Sequence, residues 1–432
     1  MSKKILTIFS LFILSIILTS CGGRKTLLFL NWGEYIDEEL ITKFEEEENC
    51  VVMMDLGESN EIFYSKLKAG TTVYDVICPS DYMVEKMYKA DLLDKIDFTK
   101  LSSYKPFDEN SRYGVTQIIK TMQENTDDDI KNYFVPYLWG TWGIMYSTIV
   151  DGLESSILSN ENEWSCLFDR TSLPKNTKVA MYDSHQHAYY AACRYLGYDV
   201  YSELPQSQID KIRDLVKNMH YNAWGTDSIK KDIVAKNIDL GFMWTGDFLY
   251  YYCEKIADIV TEAVDNGEFS GDNVGEQIAN MINVLVSDER IYKGKNKDYQ
   301  IGFELFIPED TIAFCDNLVI TKDAANKDLA YKFIDFMCSY EHNDLTPAFD
   351  NTYYVCYDTP YKNVYEELIN LASIETFEEV TDNDYYDAAY DYAIGLCFDK
   401  YYPLDGEKGS ILASFTRQYI KLINIAFNNA RT

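Results

Sequence analysis

Residues 26 to 35 read Thr26-Leu27-Leu28-Phe29-Leu30-Asn31-Trp32-Gly33-Glu34-Tyr35, an apolar run that stops at a cluster of aromatic and polar groups. A short unbroken apolar run bounded by turn residues is the pattern of a buried strand. Asp37 then stands where an N-cap belongs, Glu38 and Glu39 fill a first turn, and Leu40, Ile41 and Phe44 share one helical face. Residues 51–56 predict the next strand. Residues 60–68 carry Ile62, Phe63 and Leu67 at helical spacing before Gly70, and residues 74–78 predict a third strand closed by Pro79-Ser80. This β-α-β-α-β order predicts a parallel sheet with right-handed crossovers. Ligands bind beyond the carboxyl ends of strands in open sheets of this kind. That rule singles out residues 31–35 and 79–82.

The same grammar recurs downstream. Residues 178–181 predict a strand ending at Tyr182-Asp183-Ser184, with a helical stripe through Tyr189, Ala192 and Leu196 behind it. Residues 239–243 predict a strand ending at Trp244-Thr245-Gly246-Asp247, and residues 317–320 a further one with a helix through Leu329, Phe333 and Phe336. Two α/β lobes facing across a cleft use all of these segments. Residues 249–310 exceed a minimal lobe and are expected to be an insertion containing a helix at 274–286. The acidic, tyrosine-rich stretch 375–402 is expected to be helical and solvated.

The chain begins with Lys3-Lys4, an apolar run from Ile5 to Leu18, and Thr19-Ser20-Cys21. That layout predicts a lipoprotein signal over residues 1–20, lipidation at Cys21 and a linker over 21–25. An extracytoplasmic protein tied to the cell membrane by its N-terminal lipid is therefore expected. The length of 432 residues favours two domains over one. Lys+Arg 39 against Asp+Glu 70 gives a formal net charge of −31, which disfavours nucleic acid and anionic lipid and favours cations. Besides Cys21, nine cysteines remain with no C-x-x-C, so buried thiols are expected. His185-Gln186-His187 is a close pair without the thiolates or imidazoles that zinc needs. No metal and no cofactor is expected.

Enzyme motifs are missing: no G-x-S-x-G, H-E-x-x-H, P-loop or G-x-G-x-x-G occurs. What stands at the strand ends is aromatic and acidic: Trp32, Glu34, Tyr35, Tyr82, Trp139, Trp142, Asp183, Trp244, Asp247, Phe314 and Asp316. Aromatic faces attract ammonium groups and pack methylenes, while a carboxylate fixes a charged end. The set suits an elongated alkyl cation, although core packing is the commoner role of any one tryptophan.

At Asn31-Trp32-Gly33-Glu34-Tyr35-Ile36, Tyr74-Asp75-Val76-Ile77-Cys78-Pro79-Ser80-Asp81-Tyr82-Met83-Val84, Tyr137-Leu138-Trp139-Gly140, Leu240-Gly241-Phe242-Met243-Trp244-Thr245-Gly246 and Asp316-Asn317-Leu318, the chain resembles the spermidine/putrescine-binding proteins of bacterial polyamine ABC importers. The resemblance implies a two-lobe type II periplasmic-binding-protein fold. Residues 26–140 plus 314–360 would form one lobe, and 141–313 plus 361–432 the other. It implies that Trp32, Tyr35 and Tyr82 line one wall, with Glu34 and Ser80 near the amine groups. Trp244 would form the opposite wall and Asp316 would pair with a ligand nitrogen. Thr226 would match a small hydroxyl and Tyr354 a late aromatic contact. Two departures stand out: Phe314 replaces the usual tryptophan, and after Asp183 the position of a second acid holds His187. The implied role is a monomeric, non-enzymatic receptor that delivers a polyamine to an ABC permease and its ATPase. A receptor for another small cationic or amino-acid-like ligand is the alternative, as is a surface hydrolase or adhesin on a degenerate binding fold.

Overall fold

The computed structural model describes residues 24–104, 110–378, 380, 384–402, 411–413 and 415–431. The signal segment and Cys21 lie outside the described residues.

Strands β1 (Lys25–Asn31), β2 (Cys50–Leu56) and β3 (Val76–Ile77) pair parallel in the order β2-β1-β3. Leu27, Phe29 and Leu30 of β1 are fully buried, as a central parallel strand requires. The intervening helices Glu38–Glu48 and Asn60–Ala69 are capped by Asp37 and Ser59, whose side chains accept from Glu39 N and Ile62 N. The helix Asp81–Lys89 follows β3.

β4 (Val135–Ser147) is buried along its whole length and links the two parts of the sheet. Its first part pairs antiparallel with β11 (Ala313–Ile320), which in turn pairs antiparallel with β3. Its later part pairs with β7 (Leu240–Trp244) and β10 (Phe303–Phe306). β5 (Val179–Tyr182) lies parallel to β7 and to β6 (Ala223–Gly225), giving the order β2-β1-β3-β11-β4-β7-β5-β6. The strand expected at 317–320 pairs with β3 of the first group and with β4. β6, too short for a periodic signal, is the third parallel strand of the second group.

Two expectations change on packing. The helix Tyr386–Tyr401 exists but is not solvated: Ala388, Ala389, Tyr392, Ala393, Ile394, Cys397 and Phe398 are buried. Its apolar residues lie on every side, which is the signature of a helix enclosed by others. The segment 249–310 is woven into the second group. The helix Thr245–Asp265 packs on Tyr386–Tyr401, the helix Val274–Val286 buries Ile278, Met281, Ile282 and Leu285, and β10 extends the sheet. β8 (Ile291–Lys293) and β9 (Asp298–Gln300) form a separate hairpin carrying the basic loop.

A buried ion pair braces the centre. Arg112 Nη1 lies 3.1 and 3.0 Å from the two carboxylate oxygens of Asp358, both residues fully buried, and Arg112 Nη2 donates to the Tyr402 carbonyl at 3.0 Å. The guanidinium also stacks over Tyr365, 4.1 Å from its ring centroid.

Candidate ligand-binding site

Asp316 is the centre of the site, and a β-bulge puts it there. In the β4–β11 ladder Leu138 faces Asp316 while Pro136 faces Asn317, so the register shifts between Asp316 and Asn317. Pro136 has no N–H to offer the ladder, and such irregularities re-aim side chains next to binding sites. The Asp316 carboxylate is 5% exposed. Its Oδ2 accepts from the Tyr35 hydroxyl at 2.8 Å and its Oδ1 from the Ser80 hydroxyl at 2.6 Å. Burial pushes its pKa up to about 7, against the opposing pull of the two hydroxyls.

Ser80 is at the N-cap of the helix Asp81–Lys89 but does not cap it. Its hydroxyl is committed to Asp316, and it accepts from Asn60 Nδ2 at 2.9 Å, while its amide donates to Asn60 Oδ1 at 3.0 Å. Asp81 beside it accepts from the amides of Tyr82 and Cys315 at 2.6 and 2.8 Å, and burial raises its pKa to about 8. The turn after β3 is therefore stitched to β11 by two acids, one at each strand.

Rings extend from this acid in an unbroken series. Tyr35 meets Tyr357 edge-on at 4.8 Å between centroids, Tyr357 meets Phe314 at 6.1 Å, and Phe314 meets Trp244 edge-on at 4.4 Å. Trp244 then packs on Trp142 at 4.1 Å, and Trp142 stacks on His187 at 4.4 Å. Trp244 Nε1 donates to the Tyr182 hydroxyl at 3.0 Å. The Tyr357 ring presses on Gly246 so closely that a Cβ there would stand 2.5 Å from it. Only glycine fits at that position. His187 is neutral: burial lowers its pKa to about 3, and its Nδ1 bonds the Ser184 hydroxyl at 2.7 Å.

The structure thus brings together Tyr35, Ser80, Asp316, Phe314, Trp244 and His187. Tyr82 is buried nearby, its hydroxyl 3.5 Å from Glu61. Trp32 stacks on Phe63 at 4.3 Å with its buried indole N–H unpartnered. Glu34, at φ 53°, is largely exposed and reaches Lys230 at 3.8 Å.

Three of the expected residues lie apart from this cluster. Tyr354 is 52% exposed on the helix Pro347–Val355, and Tyr357 is the ring that joins the series. Cys356, at φ 57°, ends that helix and turns the next residue inward. Asp183 is held by the Arg431 guanidinium, which also covers Trp224, so its charge is already answered. Thr226 is exposed at the start of the helix Asp227–Val234 and makes no side-chain cap bond.

Sequence reasoning missed Tyr357, Asn60 and Lys230. Lys230 Nζ lies 2.9 Å from Asp247 Oδ1. The nine cysteines of the described residues, Cys50 to Cys397, are all buried free thiols. Among the described residues no group of three His, Cys, Asp or Glu could hold a metal, and no helix is long and apolar enough to cross a membrane.

Comparison with known proteins bears on this arrangement. Residues 1–147 match a family model described as a hypothetical lipoprotein of the MG045 family. The chain is 24% identical over 325 residues to the putrescine-binding periplasmic protein PotF of Escherichia coli K12, covering 74% of this chain and 75% of the relative. It is 25% identical over 331 residues to the putrescine-binding periplasmic protein SpuD of Pseudomonas aeruginosa, with the same coverage. The solved structure of a putative spermidine/putrescine ABC transporter protein from Listeria monocytogenes superposes with a TM-score of 0.64 at 24% identity, over 94% of this chain and 99% of that one. The expected resemblance is borne out, and the fold is that of the type II periplasmic binding proteins.

Proposed function

We propose that this chain is an extracytoplasmic solute-binding lipoprotein that captures a polyamine of the putrescine/spermidine type for an ABC importer. The observation that carries this reading is Asp316: a buried carboxylate held by neutral hydroxyls and flanked by an aromatic series suits a cationic alkyl chain. The names of the relatives support the same ligand class, and the neighbouring structure named for an ABC transporter supports a transport role.

In this reading Asp316 supplies the countercharge, while Tyr35, Tyr357, Phe314 and Trp244 enclose the methylenes, with Trp32 and Tyr82 on the wall beyond. Hinge motion about the crossing strands β4 and β11 would close the lobe built on 26–140 and 314–360 over the remainder. Lipidation of Cys21 would keep the loaded receptor near its permease.

The test is calorimetric titration with putrescine, spermidine, γ-aminobutyrate and glucose. Saturable binding of an amine with no response to glucose is expected. Binding of the sugar alone, or of no amine at any concentration, would refute the reading.

A further inference from the structure

Lys230 sits on the helix Asp227–Val234, whose inward side carries Ile229, Lys230 and Ile233, all buried. A lysine side chain only 6% exposed needs acids to meet its ammonium. Its ammonium lies 2.9 Å from Asp247 Oδ1 and 3.8 Å from Glu34 Oε2, with the Tyr251 ring centroid at 5.9 Å. Glu34 follows β1 in the first group of strands, and Asp247 follows β7 in the second. A single ammonium therefore spans the two parts of the sheet. Asp247 lies in the first turn of the helix that Trp244 precedes and hydrogen-bonds Tyr357, so two rings, Tyr357 and Tyr35, separate this acid from Asp316. Two carboxylates and an aromatic ring are the surroundings that a ligand's distal ammonium would seek.

We propose that Lys230 is an internal ammonium that fills the second amine position of the cleft. A diamine then gains its second charge pair only by displacing Lys230, so its second ammonium adds little affinity over a monoamine of the same length. This inference rests on the polyamine-type reading of the cleft.

The test compares putrescine with n-butylamine by calorimetry on the wild-type protein, Lys230→Met and Asp247→Asn. In the wild type the two amines should bind within roughly tenfold of one another. Lys230→Met keeps the length of the stem and removes the charge. It should tighten putrescine by roughly tenfold or more and leave n-butylamine unchanged. Asp247→Asn should cost putrescine less than roughly tenfold, because the wild-type acid is already answered. This second variant decides the matter should Lys230→Met fail to fold.

Putrescine binding that is unchanged or weaker in Lys230→Met overturns the role of Lys230 and leaves the polyamine reading standing. A loss of roughly a hundredfold in Asp247→Asn does the same. Silence of both amines with all three proteins removes both conclusions.

Discussion

Asp316 and Asp247 are separated by the Tyr35–Tyr357 ring pair, and they are partnered in different ways. Asp316 is met by two neutral hydroxyls, whereas Asp247 is met by an ammonium at 2.9 Å. Asp358, a third acid, is fully buried against Arg112. A buried carboxylate surrounded by a cation is a finished structural element. One surrounded by hydroxyls is oriented but still lacks its countercharge, and its raised pKa is the cost of that state. The contrast marks Asp316 as the acid proposed to meet a ligand ammonium, and Asp247 and Asp358 as acids whose charge is already answered.

The largest expected effect is on Asp316 itself. Asp316→Ala should weaken polyamine binding by about 3–5 kcal/mol, since a buried ammonium would lose its partner. Calorimetry checks it, and near-native affinity would move the countercharge elsewhere. The same substitution at Asp358 should invert the pattern. Asp358→Ala leaves the buried Arg112 without its carboxylate and should lower unfolding stability by about 3–5 kcal/mol in a denaturant titration, whatever the ligand.

The pH dependence sharpens the distinction next. The free protein holds a proton on Asp316 below about pH 7, and a bound cation requires that proton to leave. Affinity should therefore fall as pH drops below about 7, approaching tenfold per pH unit. The stability of the free protein runs the other way. Asp316 and Asp81, raised to about 7 and about 8, bind protons in the folded state that the unfolded chain has already released. Their contribution is greatest near pH 4 and is lost as pH rises through 7 to 8. Flat affinity between pH 5 and 8 would show that Asp316 does not titrate with the ligand.

Much of this site was legible because its signals are local. The apolar run of β1, the Pro79-Ser80 stop after β3 and the aromatic groups past each strand place Tyr35, Ser80, Trp244 and Asp316 from short windows of sequence. What was not legible depends on distant partners or on helical phase. Arg431 answers Asp183 from 248 residues away. Tyr354 and Tyr357 are three residues apart, and only the left-handed Cys356 between them decides which one turns inward. Lys230 lies in a charged helix that reads as solvated until Asp247 is folded against it. The helix Tyr386–Tyr401 misleads for a related reason. Its acids suggest solvent, and Asp387 and Asp399 are exposed, but Asp391 accepts from Tyr353 at 2.6 Å and the remaining faces of the helix are packed.

The smallest effect separates two serines that look alike in sequence. Ser59 and Ser80 both occupy N-cap positions, yet only Ser59 caps, accepting from Ile62 N at 3.3 Å. Ser59→Ala should lower stability by about 1 kcal/mol and leave ligand affinity alone. Ser80→Ala should act on affinity as well as stability. Its helix loses no capping bond, but Asn60 Nδ2 loses its acceptor, and Asp316 loses one of two charge-assisted donors, so ligand affinity should fall by about 1.5–3 kcal/mol. Measured together, the melting temperature and the dissociation constant separate the two serines, because affinity should move in Ser80→Ala alone. If Ser80→Ala lowered the melting temperature as Ser59→Ala does and spared the affinity, the hydroxyl would belong to the helix, and Asp316 would be oriented by Tyr35 alone.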